Sequence, residues 1–369
     1  MKTSASSLYR TLRERLGAWY DREARDLPWR RDVSAYHVLL SEVILQQTRV
    51  DQGMSYYHRF TEAFPTVYDL AAASEDEVLL LWQGLGYYSR GRNLRRAAQI
   101  IVSDYGGELP RTLEELSRLP GVGPYTRGAI LSFAYNLPFP TVDGNVYRVL
   151  SRLFALTDPI DTGAGQRVYW QLAEELLDRE HPSRHNQALI ELGALCCTPR
   201  SPHCPECPVQ QQCEGYRRGI AETLPIKQGK TRVRPRYMYY FLVRLGEAGA
   251  TSRLLRRRGA GDIWQGLYEL PLIEGGEEPL SEEALLAHPQ LVQLLGQLRA
   301  PRLHPQPRAR AKHRLSHQQL YAELYLIEAE GLMPSTEEEE QPWILIPEAE
   351  QERYAMPVLL TRLLQEAED

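Results

Sequence analysis

Through the first 225 residues, apolar side chains return at three- and four-residue intervals in one segment after another. Val38, Leu39, Ile44 and Leu45 form one such set, Val78, Leu79, Leu81 and Trp82 a second, and Ile100 with Ile101 falls in a third. That spacing is the period of an amphipathic helix, so this part of the chain is expected to be all-helical. The pattern changes near residue 225, where Pro, Lys, Arg and Gly take over as far as Arg236, the composition of a linker. Beyond it, residues 237–243 and 319–326 are rich in aromatic, β-branched and other apolar side chains and predict strands. Residues 281–295 and 357–366 predict flanking helices. The expected organisation is a helical domain over 1–225, a linker over 226–236 and a smaller α+β domain over 237–369. A length of 369 residues, too long for one compact core, agrees with two domains.

Composition adds little: 25% charged and 43% hydrophobic residues describe an ordinary globular chain. No apolar run is long enough for a bilayer, and no membrane association is expected. The net charge of −5 does not exclude nucleic acid, because the charge is unevenly placed. Acids crowd residues 337–340 and the C-terminal tail, whereas bases gather at Arg90, Arg92, Arg95 and Arg96, at 227–236 and at 308–314. A charge run alone is a solvated face, so these clusters count for DNA only beside a sharper signal.

The cysteines supply one. Cys197, Cys204, Cys207 and Cys213 are spaced Cys-x6-Cys-x2-Cys-x5-Cys at the end of a helical region, which puts four thiolates within reach of one metal centre. Disulfides are not expected, since Met1-Lys2-Thr3-Ser4 leads into a charged segment with no apolar core of a secretion signal. Zinc is the rival, but zinc ribbons use two Cys-x2-Cys knuckles, and here one such pair has longer arms. The spacing favours a 4Fe-4S cluster. Cys196 is left over and reads as a small buried apolar residue.

Three shorter features carry candidate chemistry. In Leu119-Pro120-Gly121-Val122-Gly123, two glycines around one apolar residue allow a tight turn between helices, whose outward N–H groups suit a phosphate oxygen; by itself such a turn is only a turn. Roughly twenty residues on, Asp143 in Val142-Asp143-Gly144-Asn145 stands before a helix expected over 146–155, where a plain helix-capping role is the alternative. Glu42 shares a helical stripe with Val38, Leu39 and Leu45, an apolar setting that raises a carboxyl pKa and makes it an acid; a Glu paired with a buried Arg is the alternative.

The glycine turn, the Val142-Asp143-Gly144-Asn145 segment and the cysteine spacing, in this order and at these separations, resemble the helix–hairpin–helix DNA glycosylases of the endonuclease III superfamily. Leu40-Ser41-Glu42-Val43-Ile44-Leu45-Gln46-Gln47-Thr48, Asp26-Leu27-Pro28-Trp29-Arg30 and Gly84-Leu85-Gly86-Tyr87-Tyr88-Ser89-Arg90 look like the adenine DNA glycosylases of the MutY type. The resemblance is dense over about residues 8–225 and thin beyond. It implies a multidomain fold: an all-α helix–hairpin–helix glycosylase core with an iron–sulfur module, and a C-terminal α+β Nudix-like domain that senses the lesion. The Nudix-like part is carried by Gly261-Asp262-Ile263-Trp264-Gln265-Gly266-Leu267-Tyr268-Glu269-Leu270-Pro271. It lacks an Arg-Glu-x2-Glu-Glu metal helix, so pyrophosphatase activity is not expected.

By that resemblance the chain is a base-excision repair enzyme that removes adenine mispaired with 8-oxoguanine or guanine in duplex DNA, after flipping the base out. Bifunctional members carry a Lys two residues past the hairpin, whose amine forms a Schiff base; here Tyr125 stands there, so hydrolysis without strand cleavage is expected. Cleavage of an N-glycosidic bond needs an acid for the departing base and an anion beside the oxocarbenium-like sugar. Glu42 fits the acid, and Asp143, at a polar helix start that favours ionisation, fits the anion. The resemblance gives Tyr125 and Asn145 the task of orienting them, and places Arg25, Leu27, Trp29, Arg30 and Gln187 around the extruded adenine. It puts Gln47, Thr48, Leu85 and Tyr87 on the DNA, with Gly121 and Gly123 at a phosphate and Leu315, Ser316 and His317 at the oxidised guanine, where the family usually has Phe-Ser-His. The protein is expected to be a monomer in the bacterial cytoplasm, at the nucleoid. Two rivals share features: a pyrimidine glycosylase/lyase of the endonuclease III type, opposed by Tyr125 and the Nudix-like domain, and a non-enzymatic cluster-containing DNA-binding protein, which needs neither Glu42 nor Asp143.

Overall fold

The structure, a computed structural model, describes residues 2–229, 232–246, 251–333 and 343–368. The acidic run at 337–340 and linker residues 230–231 lie outside the described residues. The chain divides into two compact units, Met1–Ala72 with Asn93–Lys230, and Ala73–Arg92 with Thr231–Asp369.

The helices over the N-terminal part are α1 (Lys2–Glu23), α2 (Pro28–Arg31), α3 (Ala35–Leu45), α4 (Val50–Ala63), α5 (Val67–Ala72), α6 (Glu75–Trp82), α7 (Ser89–Tyr105), α8 (Leu113–Leu116), α9 (Pro124–Ala129), α10 (Gly144–Leu153), α11 (Gly163–Leu176), α12 (Pro182–Leu195) and α13 (Glu214–Arg217). Their boundaries follow local chemistry. Ser34 starts α3 by accepting from the His37 N–H, Asp143 starts α10 by accepting from the Val146 N–H, and Pro182 opens α12, where its missing N–H costs nothing. One core of the first unit is built from Leu12, Leu16 and Trp19 of α1, Val146, Val149 and Leu150 of α10, Tyr169 of α11 and Leu189 and Leu192 of α12. In α3 nearly every side chain from Tyr36 to Ile44 is buried, so Glu42 sits in a helix apolar on all sides rather than on a single stripe.

The segment after the glycine turn is not one α-helix. After α9 the chain widens into a π-helical turn, Ile130–Ala134. Asn186 of α12 explains it: its amide donates to Ser132 Oγ (2.8 Å) and to the Phe139 carbonyl (2.8 Å) and accepts from the Thr141 N–H (3.2 Å), pinning the turn to the segment leading to Asp143.

The second unit carries β1 (Arg234–Leu245), β2 (Ser252–Arg257), β3 (Tyr268–Glu269), β4 (Leu272–Gly276), α14 (Glu282–Leu286), α15 (Pro289–Gly296), β5 (Leu298–Arg299), β6 (Arg302–Leu303), β7 (Ala309–Arg314), β8 (Gln318–Ala329), β9 (Gly331–Leu332), β10 (Ile344–Pro347) and α16 (Val358–Glu368). The main sheet is mixed: β1 runs parallel to β8, with Tyr237 opposite Tyr321, while β2 and β4 flank β1 and β7 pairs β8, all antiparallel. Alternation along β1 sorts its side chains, Met238, Tyr240 and Leu242 packing with Leu359, Leu360 and Leu363 of α16, and Tyr239, Phe241 and Val243 with Leu285, Leu291 and Leu294 of α14 and α15. The helix expected over 281–295 is two, because Pro289 cannot continue α14 and His288 caps a new start.

Candidate active site

A cavity of about 850 Å³ opens in the first unit, a size suited to a small organic group. Glu42, Tyr125, Asp143 and Asn145 all line it, so four residues spread over a hundred positions of sequence meet at one place. Arg25, Leu27, Trp29, Arg30, Gln187, Gln47 and Thr48 line it too. Trp29 is held edge-on to Tyr57 (5.0 Å between ring centroids), and Gln187 is fixed by the Tyr20 hydroxyl (3.0 Å) and Ser183 Oγ (3.1 Å). Phe133 and Ile190 also face the cavity and were missed from sequence: the π-helical turn sets the direction of Phe133, and Ile190 belongs to an ordinary apolar helix pattern.

The two carboxyls differ. Burial pushes Glu42 up to about 7; a hydrogen bond with Tyr125 works against this, Asp143 reinforces it and Arg30 opposes it. No arginine hydrogen bond holds Glu42 among the described residues, which removes the alternative of a Glu–Arg pair. Asp143 departs from expectation. Its helix start does favour the anion, through the Val146 N–H (2.8 Å) and the Asn145 side-chain amide (2.8 Å), yet burial outweighs these donors and moves its carboxyl upward. The helix-capping role and membership of the cavity prove compatible, since one oxygen takes each donor and the carboxyl still borders the cavity. Tyr125 is raised well above the ordinary phenol, by burial first and then by Glu42 and Asp143, so it stays a hydrogen-bond donor.

From Asp143 a chain of hydrogen bonds leads away from the cavity. Asn145 Oδ1 accepts from Arg148 (2.8 Å), whose guanidinium also donates to the carbonyls of Gly193 (2.7 Å) and Cys197 (2.7 Å). Cys197, Cys204, Cys207 and Cys213 are free thiols that line one small cavity with Arg152. The buried Arg152 guanidinium donates to Cys197 Sγ (3.4 Å) and to the carbonyls of Thr198 (2.7 Å) and Pro199 (3.0 Å), clamping the loop. Among the described residues no group of His, Cys, Asp or Glu converges tightly enough for a single metal ion. A cluster holds its thiolates further apart than zinc does, so thiols around a shared cavity, with a cation at one sulfur, fit the 4Fe-4S cage. Cys196 is buried, as expected of an apolar stand-in, and its thiol reaches the His203 carbonyl (3.3 Å).

Gly121 has φ +78°, a conformation the hairpin needs and glycine supplies, and Gly123 caps α9 with its surface exposed. Gln47 and Tyr87 are also in the left-handed region, at φ 57° and 48°, without being glycine. Both are exposed, and their backbone conformation, shared by Asn136, Ala155, Ser201, Trp264 and Ala300, is not displayed by the sequence. In the second unit the Tyr87 hydroxyl meets Ser316 Oγ. Ser316 and His317 are exposed at the turn between β7 and β8, whereas Leu315 packs against the core of its unit. Leu85 is 6% exposed, so the geometry does not present it for contact.

The chain matches three family descriptions: HhH-GPD superfamily base excision DNA repair protein over residues 40–174, iron-sulfur binding domain of endonuclease III over 197–213, and NUDIX domain over 240–366. The iron–sulfur match begins and ends on the first and last of the four cysteines, and the module is accordingly a 4Fe-4S one rather than zinc. Adenine DNA glycosylase of Mus musculus is 49% identical over 216 residues, 56% of this chain, and the chain spans about two fifths (42%) of that relative's length. Adenine DNA glycosylase of Schizosaccharomyces pombe is 33% identical over 322 residues, covering 72% of this chain and 70% of the relative, and that of Buchnera aphidicola subsp. Baizongia pistaciae is 35% identical over 254 residues, covering 69% and 71%. A solved thermostable thymine-DNA glycosylase superposes with a TM-score of 0.53 at 26% identity, covering 58% of this chain and 99% of that one. Identity above 30% over more than two thirds of such relatives, together with a helix–hairpin–helix core, an iron–sulfur module and a Nudix domain in this order, makes the chain a member of the adenine DNA glycosylase family.

Proposed function

We propose that this protein removes adenine mispaired with 8-oxoguanine or guanine in duplex DNA, as a monofunctional N-glycosylase acting on a base flipped from the helix. The observation that carries the reading is a pair of carboxyls in unlike surroundings lining one cavity, Glu42 buried and near neutrality with a phenol beside it, Asp143 half-buried and capped by two hydrogen-bond donors. Two titratable groups in unlike surroundings divide acid and anion roles. The Glu42 carboxyl gives its proton to a ring nitrogen of adenine, and the C1′–N9 bond breaks with its electron pair leaving on the base. The Asp143 carboxylate stabilises the cationic sugar until water adds at C1′ and returns a proton to Glu42, a logic shared with sugar hydrolases. Tyr125 keeps Glu42 oriented and Asn145 holds Asp143.

The cluster, held by Cys197, Cys204, Cys207 and Cys213, supplies a rigid cross-link for the loop after α12, and base release does not pass through it. Gln47, Thr48 and Tyr87 are assigned to the mispaired duplex, Gly121 and Gly123 to a phosphate, and Ser316 and His317 to the oxidised guanine. Leu315 supports that turn from below. No described helix is long and apolar enough to cross a membrane, and the protein is proposed to act as a monomer in the cytoplasm, at the nucleoid.

Duplexes bearing adenine opposite 8-oxoguanine, guanine and cytosine test the reading. Release of free adenine is expected opposite the first two and little opposite cytosine. Borohydride should trap almost no enzyme on the abasic product, because a phenol at position 125 forms no imine. Release of an oxidised pyrimidine with efficient trapping would replace this reading with the lyase.

A further inference from the structure

Three arginines, Arg25, Arg30 and Arg49, line the cavity in which Glu42 must keep a proton, and a cation is the wrong neighbour for a proton donor, because it favours the carboxylate. Arg30, on α2, is the nearer concern: its guanidinium acts electrostatically on both Glu42 and Tyr125. What meets that charge is Glu191, on α12, which is fully buried and takes no part in lining the cavity. Its Oε1 accepts from the Arg25 backbone N–H (2.9 Å) and from Arg25 Nε (2.8 Å). Its Oε2 accepts from Arg25 (2.9 Å) and from Arg30 (2.7 Å), and Arg30 in turn donates to the Arg25 carbonyl (2.9 Å). One carboxylate thus takes four hydrogen bonds and ties both arginines into one rigid unit. Burial works against the Glu191 charge, but the bonds from Arg25 and Arg30 overrule it and hold the carboxyl at about 2, so it is an anion throughout the neutral range.

We propose that Glu191 is a positioning residue for base release: it offsets the charge of Arg30, so that Glu42 keeps its proton at neutral pH, and it locks Arg25 and Arg30 in one arrangement around the extruded base. This rests on the reading of Glu42 as the acid. The groups acting on Glu42 are Tyr125 from α9, Asp143 from the start of α10 and Arg30 from α2. Arg49 and Asp51, at the start of α4, border the same cavity, and Asp51 also acts on Arg25. Only Glu191 is bonded to Arg30 through a carboxylate among the described residues.

The test follows the midpoint at which Glu42 loses its proton. It is read in two ways: from the pH profile of single-turnover adenine release, and from side-chain carbon resonances of carbon-13-labelled glutamate in the DNA-free protein, with Glu42→Gln assigning the signal. In the wild type, release should decline as pH rises through about 7. Glu191→Gln should move both midpoints down by about one unit or more, the effect of an unscreened cation at close range. Arg30→Gln/Glu191→Gln, which removes the cation as well, should bring the midpoint back toward wild type even though the rate is low. A structural role alone slows the reaction without moving the midpoint or restoring it in the double variant, and that result overturns the inference. Should Glu191→Gln not fold, Arg30→Gln alone decides: with Glu191 still paired to Arg25, an unmoved Glu42 midpoint means Arg30 does not reach it. A wild type that releases no adenine removes the proposed function; one that releases adenine while Glu191→Gln titrates unchanged removes only this inference.

Discussion

A carboxyl that donates a proton near neutrality must be kept from water, and keeping it there has a cost. Glu42 ionises near 4.5 in an unfolded chain and at about 7 in the fold, so its contribution to stability is intact below about pH 4.5 and is lost as pH rises through 7. The penalty above neutrality is on the order of 3 kcal/mol. Glu42→Gln, which never ionises, should therefore abolish adenine release, leave duplex binding close to wild type and raise the melting temperature at pH 8 but not at pH 4. Unfolding scans at the two pH values, beside a gel-shift titration and a single-turnover assay, check all three. Asp143→Asn should also abolish release while retaining binding, and turnover surviving in either variant would remove the acid–anion pair. Chemistry of this kind is legible in sequence because an acid among apolar neighbours at helical spacing is an anomaly on any reading. The upward shift of Asp143 is not legible, since its two local donors argue for the opposite and only the enclosure of the cavity reverses them.

At the scale of elements, the site depends on how closely α10 and α12 approach. A Cβ at Gly193 would come within 2.6 Å of the Asn145 side chain and 3.1 Å of its backbone, closer than neighbouring atoms tolerate. Gly193→Ala should push Asn145 away from Asp143 and cost about 1–3 kcal/mol, the usual result of overpacking. Thermal melts should register the loss, and adenine release should fall further than binding does; a variant with wild-type turnover would show that the Asn145–Asp143 contact is dispensable. The tight turn between helices was readable, because two glycines around an apolar residue permit it, while its place in a helix–hairpin–helix came from the resemblance. The π-helical turn after it was not. Whether a helix widens is settled by which groups lie beside it, and here the decisive partner, Asn186, lies 54 residues from Ser132 in sequence. The break between α14 and α15 falls at Pro289, where the residues did carry the signal and the apolar pattern masked it.

For the whole molecule, the Nudix-like unit has a sheet sorted by strand alternation and a pair of exposed polar side chains, Ser316 and His317, at one turn. Ser316→Ala combined with His317→Ala should leave adenine release opposite guanine nearly unchanged and reduce the preference for 8-oxoguanine by about three- to tenfold, the worth of one or two hydrogen bonds at ~0.5–1.5 kcal/mol. Competition between the two duplexes in one reaction measures this directly, and an unchanged ratio would take lesion sensing away from the turn. Leu315 at this turn packs on the core below and supports it.

Periodicity and motif spacing were enough for a helical part followed by a mixed one, for the strands at 237–243 and 319–326 and for the cysteine module, because each depends on residues near one another in sequence or on a pattern rare by chance. Tertiary structure alone decided that Glu42, Tyr125, Asp143 and Asn145 share a wall, that Gln47 and Tyr87 stand in strained backbone, and that Glu191 binds two arginines behind the cavity. Burial, electrostatic coupling and strain are properties of distances between groups remote along the chain, and a one-dimensional pattern does not contain those distances.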